Sequence, residues 1–202
     1  MTLWRAAKPL VLASQSRARR SLLANAGLSF EIDPAEIDER AIQTTSGLTE
    51  PGDIAALLAR EKALDVSRRR PDQYVIGADQ TLALGRRIFN KPADRAQAAG
   101  QLRALSGHRH ELYAAVAAAH NGKVLFEHVA IARMTMRRLG EAGIDAYLEE
   151  AGSAVTSSVG AYQLEGLGIH LFEAIEGDHF TILGLPLLPL LAFFRQDRLL
   201  GI

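Results

Sequence analysis

The sequence predicts an α/β protein. Short apolar runs with strand character, at Leu10 to Ala13, Ser29 to Asp33, Tyr74 to Gly77 and His110 to Ala119, alternate with stretches whose apolar residues recur at helical spacing. The 202 residues suffice for one domain or one two-lobed unit, and 48% hydrophobic residues argue against disorder. Lys plus Arg and Asp plus Glu balance at 23 each, so no global field points to a nucleic-acid or membrane partner. Cysteine is absent, which removes disulfides, thiolate chemistry and cysteine-ligated metals. The opening MTLWRAAKPLVLA is too weakly apolar for a signal peptide, and no stretch approaches a membrane span. A cytoplasmic protein is expected.

After the strand at Leu10 to Ala13, Ser14 or Ser16 can cap a helix from Arg17 to Ala26, with Gly27 at its stop. Arg17, Arg19 and Arg20 crowd its first turn, where the helix dipole disfavours cations. A bound phosphate relieves that conflict, because free backbone N–H groups, a serine hydroxyl and arginines converge on it. A solvated basic patch is the bland alternative. The strand at Ser29 to Asp33 leads to Glu36, Asp38 and Glu39, acids on a loop or strand end that become useful around a divalent cation. Gln43 to Thr49 is polar and reads as a mobile loop. Pro51 opens a helix to Arg69 that carries Lys62, and Arg68 to Arg70 suit its C-terminal dipole without a ligand.

Next comes YVIGADQTLALGRRIFNKP, from Tyr74 to Pro92. Its reading is a buried strand ending at Gly77, the carboxylate Asp79 at the tip, a second strand at Thr81 to Leu84, a Gly85-Arg86 turn, and a third strand at Arg87 to Phe89 before Lys91. An acid at a strand tip with a lysine on the neighbouring hairpin suits a metal-bound phosphate. Asp94 with Gln97 is a capping-box candidate for a helix to Leu105. His110 to Ala119 and Lys123 to Met136 then pair through an Asn-Gly turn. His108 and His110 alternate along a strand without metal-ligand spacing, so histidine ligation is not expected.

A helix spans GEAGIDAYLEE, and TSSVGAYQLEGLGIH supplies glycine turns around Glu165, a candidate polar contact in a pocket. Gly184-Leu185-Pro186 opens an apolar helix toward Phe194, read as core or partly dimer interface.

In order, LVLASQSRARRSLL, IDE, AREKA, GADQ, NKP, LSG, GAYQLEGLG and GLPL resemble the motifs of the Maf family of nucleoside triphosphate pyrophosphatases, over nearly the whole chain. Two positions depart: Arg17 stands where the family usually has proline, and Ala18 where many members have the first arginine. The resemblance implies one Maf-like domain over 1–202 with an elongated mixed β-sheet flanked by helices. Two lobes around a central cleft are implied as well, as in the inosine triphosphatase-like fold. It implies hydrolysis of a nucleoside triphosphate to monophosphate and pyrophosphate with Mg²⁺ or Mn²⁺, by a homodimer. Ser14, Ser16, Arg19 and Arg20 would hold phosphate, Lys62 and Lys91 the triphosphate, and Glu39 and Asp79 the metal and water. Whether Asp79 orients the water as general base or ligates the metal stays open.

Gln80 after Asp79, Glu165, and the non-arginine Ala18 resemble the family branch acting on 7-methyl-GTP. A carboxylate at Glu165 accepts hydrogen bonds from a guanine edge and suits a methylated, positively charged base. GAYQ partly resembles the branch acting on dTTP and UTP, the alternative substrates. A nucleotide-binding regulator of cell division without essential turnover is the alternative from another class.

Overall fold

The computed structural model describes residues 3–201; Met1, Thr2 and Ile202 of the expected 1–202 domain lie outside the described residues. Its strands are β1 (Leu10–Leu12), β2 (Phe30–Ile32), β3 (Tyr74–Leu84), β4 (Arg87–Phe89), β5 (Arg109–His120), β6 (Lys123–Met136) and β7 (Phe172–Glu176). They form one sheet in the order β2-β1-β3-β5-β6-β7, with β4 on β3. β1 runs parallel to β2 and β3, whereas β3–β4 and β6–β7 are antiparallel. The α-helices are α1 (Arg17–Asn25), α2 (Glu39–Ser46), α3 (Pro51–Arg69), α4 (Arg95–Leu105), α5 (Glu141–Ala151), α6 (His179–Ile182) and α7 (Leu187–Gln196). The chain thus adopts the expected α/β class, a mixed sheet flanked by helices. No helix among the described residues is long and apolar enough to cross a membrane.

Two compact units divide the chain, the first made of Met1–Gln80, Ala114–Ala130 and His179–Ile202. Alternation along β1 and β3 sorts their side chains onto two faces. Leu10, Leu12, Ile76 and Ala78 join Leu22 and Leu23 of α1 and Leu190 and Phe194 of α7 in one core. Val11, Ala13 and Val75 pack with Val66 of α3 in another. Trp4 meets Tyr74 and Phe194 edge-on at 5.8 and 5.1 Å, so α7 serves the core. Arg69 and Arg70, which suit the helix dipole without a ligand, both bind Asp33 just after β2. These ion pairs lower the Asp33 carboxyl below its ordinary value, the hydrogen bond from Arg69 contributing most.

The second unit comprises Thr81–Tyr113 and Ile131–Asp178. Here the glycine-rich segment forms short 3₁₀ turns at Gly152–Thr156, Val159–Ala161 and Leu167–Leu171, then β7. Tyr147 of α5 donates to Ala161 O at 3.1 Å, and Gln101 of α4 accepts from Gly160 N at 3.0 Å. They hold a left-handed pair, Gly160 at φ +78° and Ala161 at φ +62°. Beneath it, buried His110 Nε2 bonds Tyr162 Oη at 2.8 Å, and His110 Nδ1 has no partner.

Two expectations need correction. β3 does not stop at Gly77 but runs unbroken from Tyr74 to Leu84, with Asp79 inside the strand. Gly77 is there because α3 lies against it: a Cβ would meet Ala59 O at 2.1 Å and Ala63 N at 2.5 Å. The expected loop around Glu39 and Gln43 is instead helix α2. Asp38 caps it by accepting from Ala41 N at 2.9 Å, and Gly47 at φ +66° ends it.

Candidate functional site

The close approach at Gly77 delivers a lysine to a carboxylate. Pro51 and Asp53 in the first turn of α3, and Arg68 and Arg69 in its last, agree with the helix dipole. The helix therefore extends far enough to carry Lys62 against β3. Lys62 Nζ donates to Asp79 Oδ1 at 2.7 Å and lies 2.9 Å from Glu39 Oε1. Lys62 and Asp79 are both buried, while Glu39 reaches in from the first turn of α2 with its side chain about half exposed. One ammonium between two carboxylates leaves one excess negative charge. A charged cluster this poorly hydrated is costly unless its charges stay paired.

Nearby, Ser16 caps α1 and accepts from Arg19 N at 3.3 Å. Ser14 Oγ accepts from Ser16 N at 3.2 Å and from Arg19 Nη1 at 3.1 Å. Arg19 also donates to Ala78 O and Gly184 O, each at 2.8 Å. Its residue surface is partly open, yet the guanidinium is desolvated enough to lower its pKa, opposed by the fields of Asp79 and Glu39. Those fields tie Arg19 electrostatically to the acidic pair. Of the sequence-predicted residues, the structure thus gathers Ser14, Ser16, Arg19, Glu39, Lys62 and Asp79.

The rest are disposed differently. The Arg20 side chain makes none of these bonds and lines a shallow surface hollow with Arg17, Ser21, Ala24 and Phe30. Gln80 turns its amide to backbone, donating to Thr181 O at 3.1 Å and Ile182 O at 3.0 Å. In the second unit Lys91 is exposed just after β4. Glu165 is exposed at the tip of a turn closed by Gly166 N to Gln163 O at 3.2 Å. Gly168 seals that turn, for a Cβ there would sit 2.3 Å from Gln163 O. Sequence reasoning missed Gly77 and the Thr181 to Gly184 segment; a glycine inside an apolar strand pattern is the signal that marks a close backbone approach.

No cluster of three or more histidine or carboxylate ligands occurs among the described residues. The donor set still fits a hard divalent cation. Glu39 Oε1 and Asp79 Oδ1 converge on Lys62 Nζ, and the two carboxylates exceed that one positive charge. Mg²⁺ in phosphate-handling sites uses one or two carboxylates and completes its shell with phosphate oxygens and water.

The sequence matches the family described as Maf-like protein over residues 9–197. A relative named nucleoside triphosphate pyrophosphatase from Bradyrhizobium diazoefficiens is 67% identical over 202 residues, covering 100% of each chain. One of the same name from Rhodopseudomonas palustris strain BisB18 is 66% identical over 201 residues, also covering 100% of each. A relative named 7-methyl-GTP pyrophosphatase from Rhizobium etli is 54% identical over 189 residues, 93% of this chain and 95% of its own. Among solved structures, a HAM1 protein from Coxiella burnetii aligns with 65% of this chain and 74% of its own, at 18% identity and a TM-score of 0.41.

Proposed function

The chain belongs to the Maf-like protein family, and we propose that it is a nucleoside triphosphate pyrophosphatase cleaving the α–β phosphoanhydride. The observation that carries the reading is Lys62 held between buried Asp79 and half-exposed Glu39. A water attacks the α-phosphorus, the bridging P–O bond breaks, and pyrophosphate departs with the bonding electron pair. Asp79, the buried carboxylate of the cluster, orients that water and accepts its proton. Ser14, Ser16 and Arg19 hold phosphate oxygens, Arg19 through the Nη2 group that its bonds to Ser14, Ala78 and Gly184 leave over. Lys62 and Lys91 supply positive charge to the triphosphate. Glu39 and Asp79 are the residues that would hold Mg²⁺ or Mn²⁺, which neutralises phosphate charge when bound.

The finer reading is 7-methyl-GTP as substrate. It is supported by Glu165, a carboxylate on a turn whose backbone is fixed by Gly168, and by the name carried by the Rhizobium etli relative. Purified protein incubated with 7-methyl-GTP, GTP, dTTP and UTP, with Mg²⁺, with Mn²⁺ and with chelator, tests both levels once monophosphate and pyrophosphate are resolved. Absence of pyrophosphate from every nucleotide removes the pyrophosphatase reading. Preference for dTTP or UTP removes only the 7-methyl-GTP assignment, and undiminished turnover in chelator removes the metal.

A further inference from the structure

Residues 33 to 39 lie along one stripe of α3. Lys62, Asp65 and Arg69 are spaced three and four apart, so they share one face of that helix. Three contacts meet this face in reverse order along the segment. Arg69 Nη2 donates to Asp33 Oδ1 at 2.8 Å and to Pro34 O at 2.6 Å. One turn nearer the start of the helix, Asp65 Oδ2 accepts from Glu36 N at 2.9 Å. A further turn on, Lys62 Nζ lies 2.9 Å from Glu39 Oε1. Arg69 Nη1 donates to Asp65 Oδ2 at 2.6 Å, which joins the first two contacts into one clasp. Inside the clasp, Ala35 packs against the cluster of Val11, Ala13, Val66 and Val75.

Only Ile37 and Asp38 separate the clasp from Glu39, and Asp38 caps α2 by accepting from Ala41 N. Glu39 therefore begins α2 at a place set by where residues 33 to 36 are pinned. Its own side chain is about half exposed, so burial does not fix it. Single exposed ion pairs stabilise a fold little, whereas a planar guanidinium shared among three acceptors on two segments fixes geometry. We infer that Arg69, working with Asp65, is a positioning residue for Glu39: it pins the segment preceding α2 to the same helix that carries Lys62. This rests on the proposed role of Glu39 in holding the divalent cation. Groups that orient a metal ligand without touching the metal are worth about 10- to 100-fold in affinity or activity.

Three variants test it. Arg69→Gln removes the clasp, and Asp65→Ala removes its Glu36 half. Arg70→Gln is the control, because Arg70 also donates to Asp33 and to Glu31, and its loss leaves the bonds at Pro34 O and Glu36 N in place. Pyrophosphate release titrated with Mn²⁺ is expected to need about 10-fold more metal for half-maximal rate in Arg69→Gln and in Asp65→Ala, with kcat at saturating Mn²⁺ within about threefold of wild type. Arg70→Gln is expected to keep the wild-type Mn²⁺ requirement. In metal-free protein, amide hydrogen exchange at residues 36 to 42 is expected to quicken in the two clasp variants and not in the control. An unshifted Mn²⁺ requirement in folded Arg69→Gln overturns the positioning role. So does an equal shift in Arg70→Gln, which would mark a general loss of charge at the end of α3. Where Arg69→Gln does not fold, Asp65→Ala carries the test. Should wild type release no pyrophosphate, the pyrophosphatase reading fails on its own, while unchanged exchange at residues 36 to 42 separately overturns the clasp.

Discussion

Lys62 and Asp79 meet at 2.7 Å with 11% and 12% of their side chains exposed, whereas Glu39 completes the cluster from a side chain 52% exposed. The two acids are thus unequal. One is locked in place by burial, and the other faces solvent.

Asp79→Asn preserves volume and leaves Lys62 its Glu39 partner, so the protein is expected to fold and to bind nucleotide. Turnover should fall at least about 100-fold, the scale of losing a general base. Pyrophosphate release by protein with wild-type circular dichroism is the measurement. Near-normal release would show that Asp79 does not activate water.

Lys62→Met strands a buried carboxylate. Removing one partner of a buried pair costs about 3 kcal/mol, so urea unfolding should reveal a loss of that order. The double variant Lys62→Met with Asp79→Asn should recover part of the loss, because no unpaired charge then remains inside. Additive losses in the double variant would mean the ion pair is not coupled.

Gly77→Ala should be among the most damaging single-methyl substitutions in the chain. The new Cβ meets helix backbone at 2.1 Å, and backbone cannot step aside as a side-chain tip can. A loss of at least about 3 kcal/mol, or failure to fold, is expected. A variant of wild-type stability would mean that α3 does not lie against β3 as described.

Much of this was readable from residue pattern. The strand at Leu10, the serine cap of α1 and the Pro51 start of α3 follow from local rules that tertiary contacts leave alone. The order of Ser16, Arg19, Lys62 and Asp79 marked the cluster. What stayed hidden depended on neighbours distant in sequence. Gly77 looks like a terminator until α3 is seen lying on it, and Gln80 looks free until two carbonyls from residues 181 and 182 arrive. For α2 the local signals existed, with Asp38, Glu39 and Gly47 in capping positions, but the polar run between them masked a helix without a buried side.

His110 gives a pH dependence whose sign is fixed. Burial holds its pKa down, from 6.5 to about 4, so the folded chain keeps it neutral while the unfolded chain protonates it. Between those values the unfolded state binds more protons, so stability is full above the upper value and is lost as pH falls toward the lower. The loss is about 3 kcal/mol. Comparing urea unfolding of wild type and His110→Gln from pH 7 to 4.5 isolates it from the carboxylates. Parallel pH curves would show that His110 contributes no such linkage.

Glu165→Gln tests base choice. Losing one charged hydrogen bond to the base is worth about 1.5–3 kcal/mol, so kcat/KM for 7-methyl-GTP should fall by about one to two decades relative to dTTP. Arg19→Ala, by contrast, should depress all triphosphates together. An unchanged nucleotide ratio in Glu165→Gln would leave Glu165 a solvated turn residue.

The contacts around Asp79 also differ in when the chain can make them. Lys62 is 17 residues from Asp79, so both members of the ion pair leave the ribosome early and together. The Gln80 anchors lie 101 and 102 residues downstream, and Gly184 is 165 residues from Arg19. A nascent chain halted before residue 179 already contains the charged pair and lacks the Thr181, Ile182 and Gly184 carbonyls that Gln80 and Arg19 bind. Loop closure over such spans comes late and is slow. The last two dozen residues are therefore the step at which a charged strand becomes a fixed one.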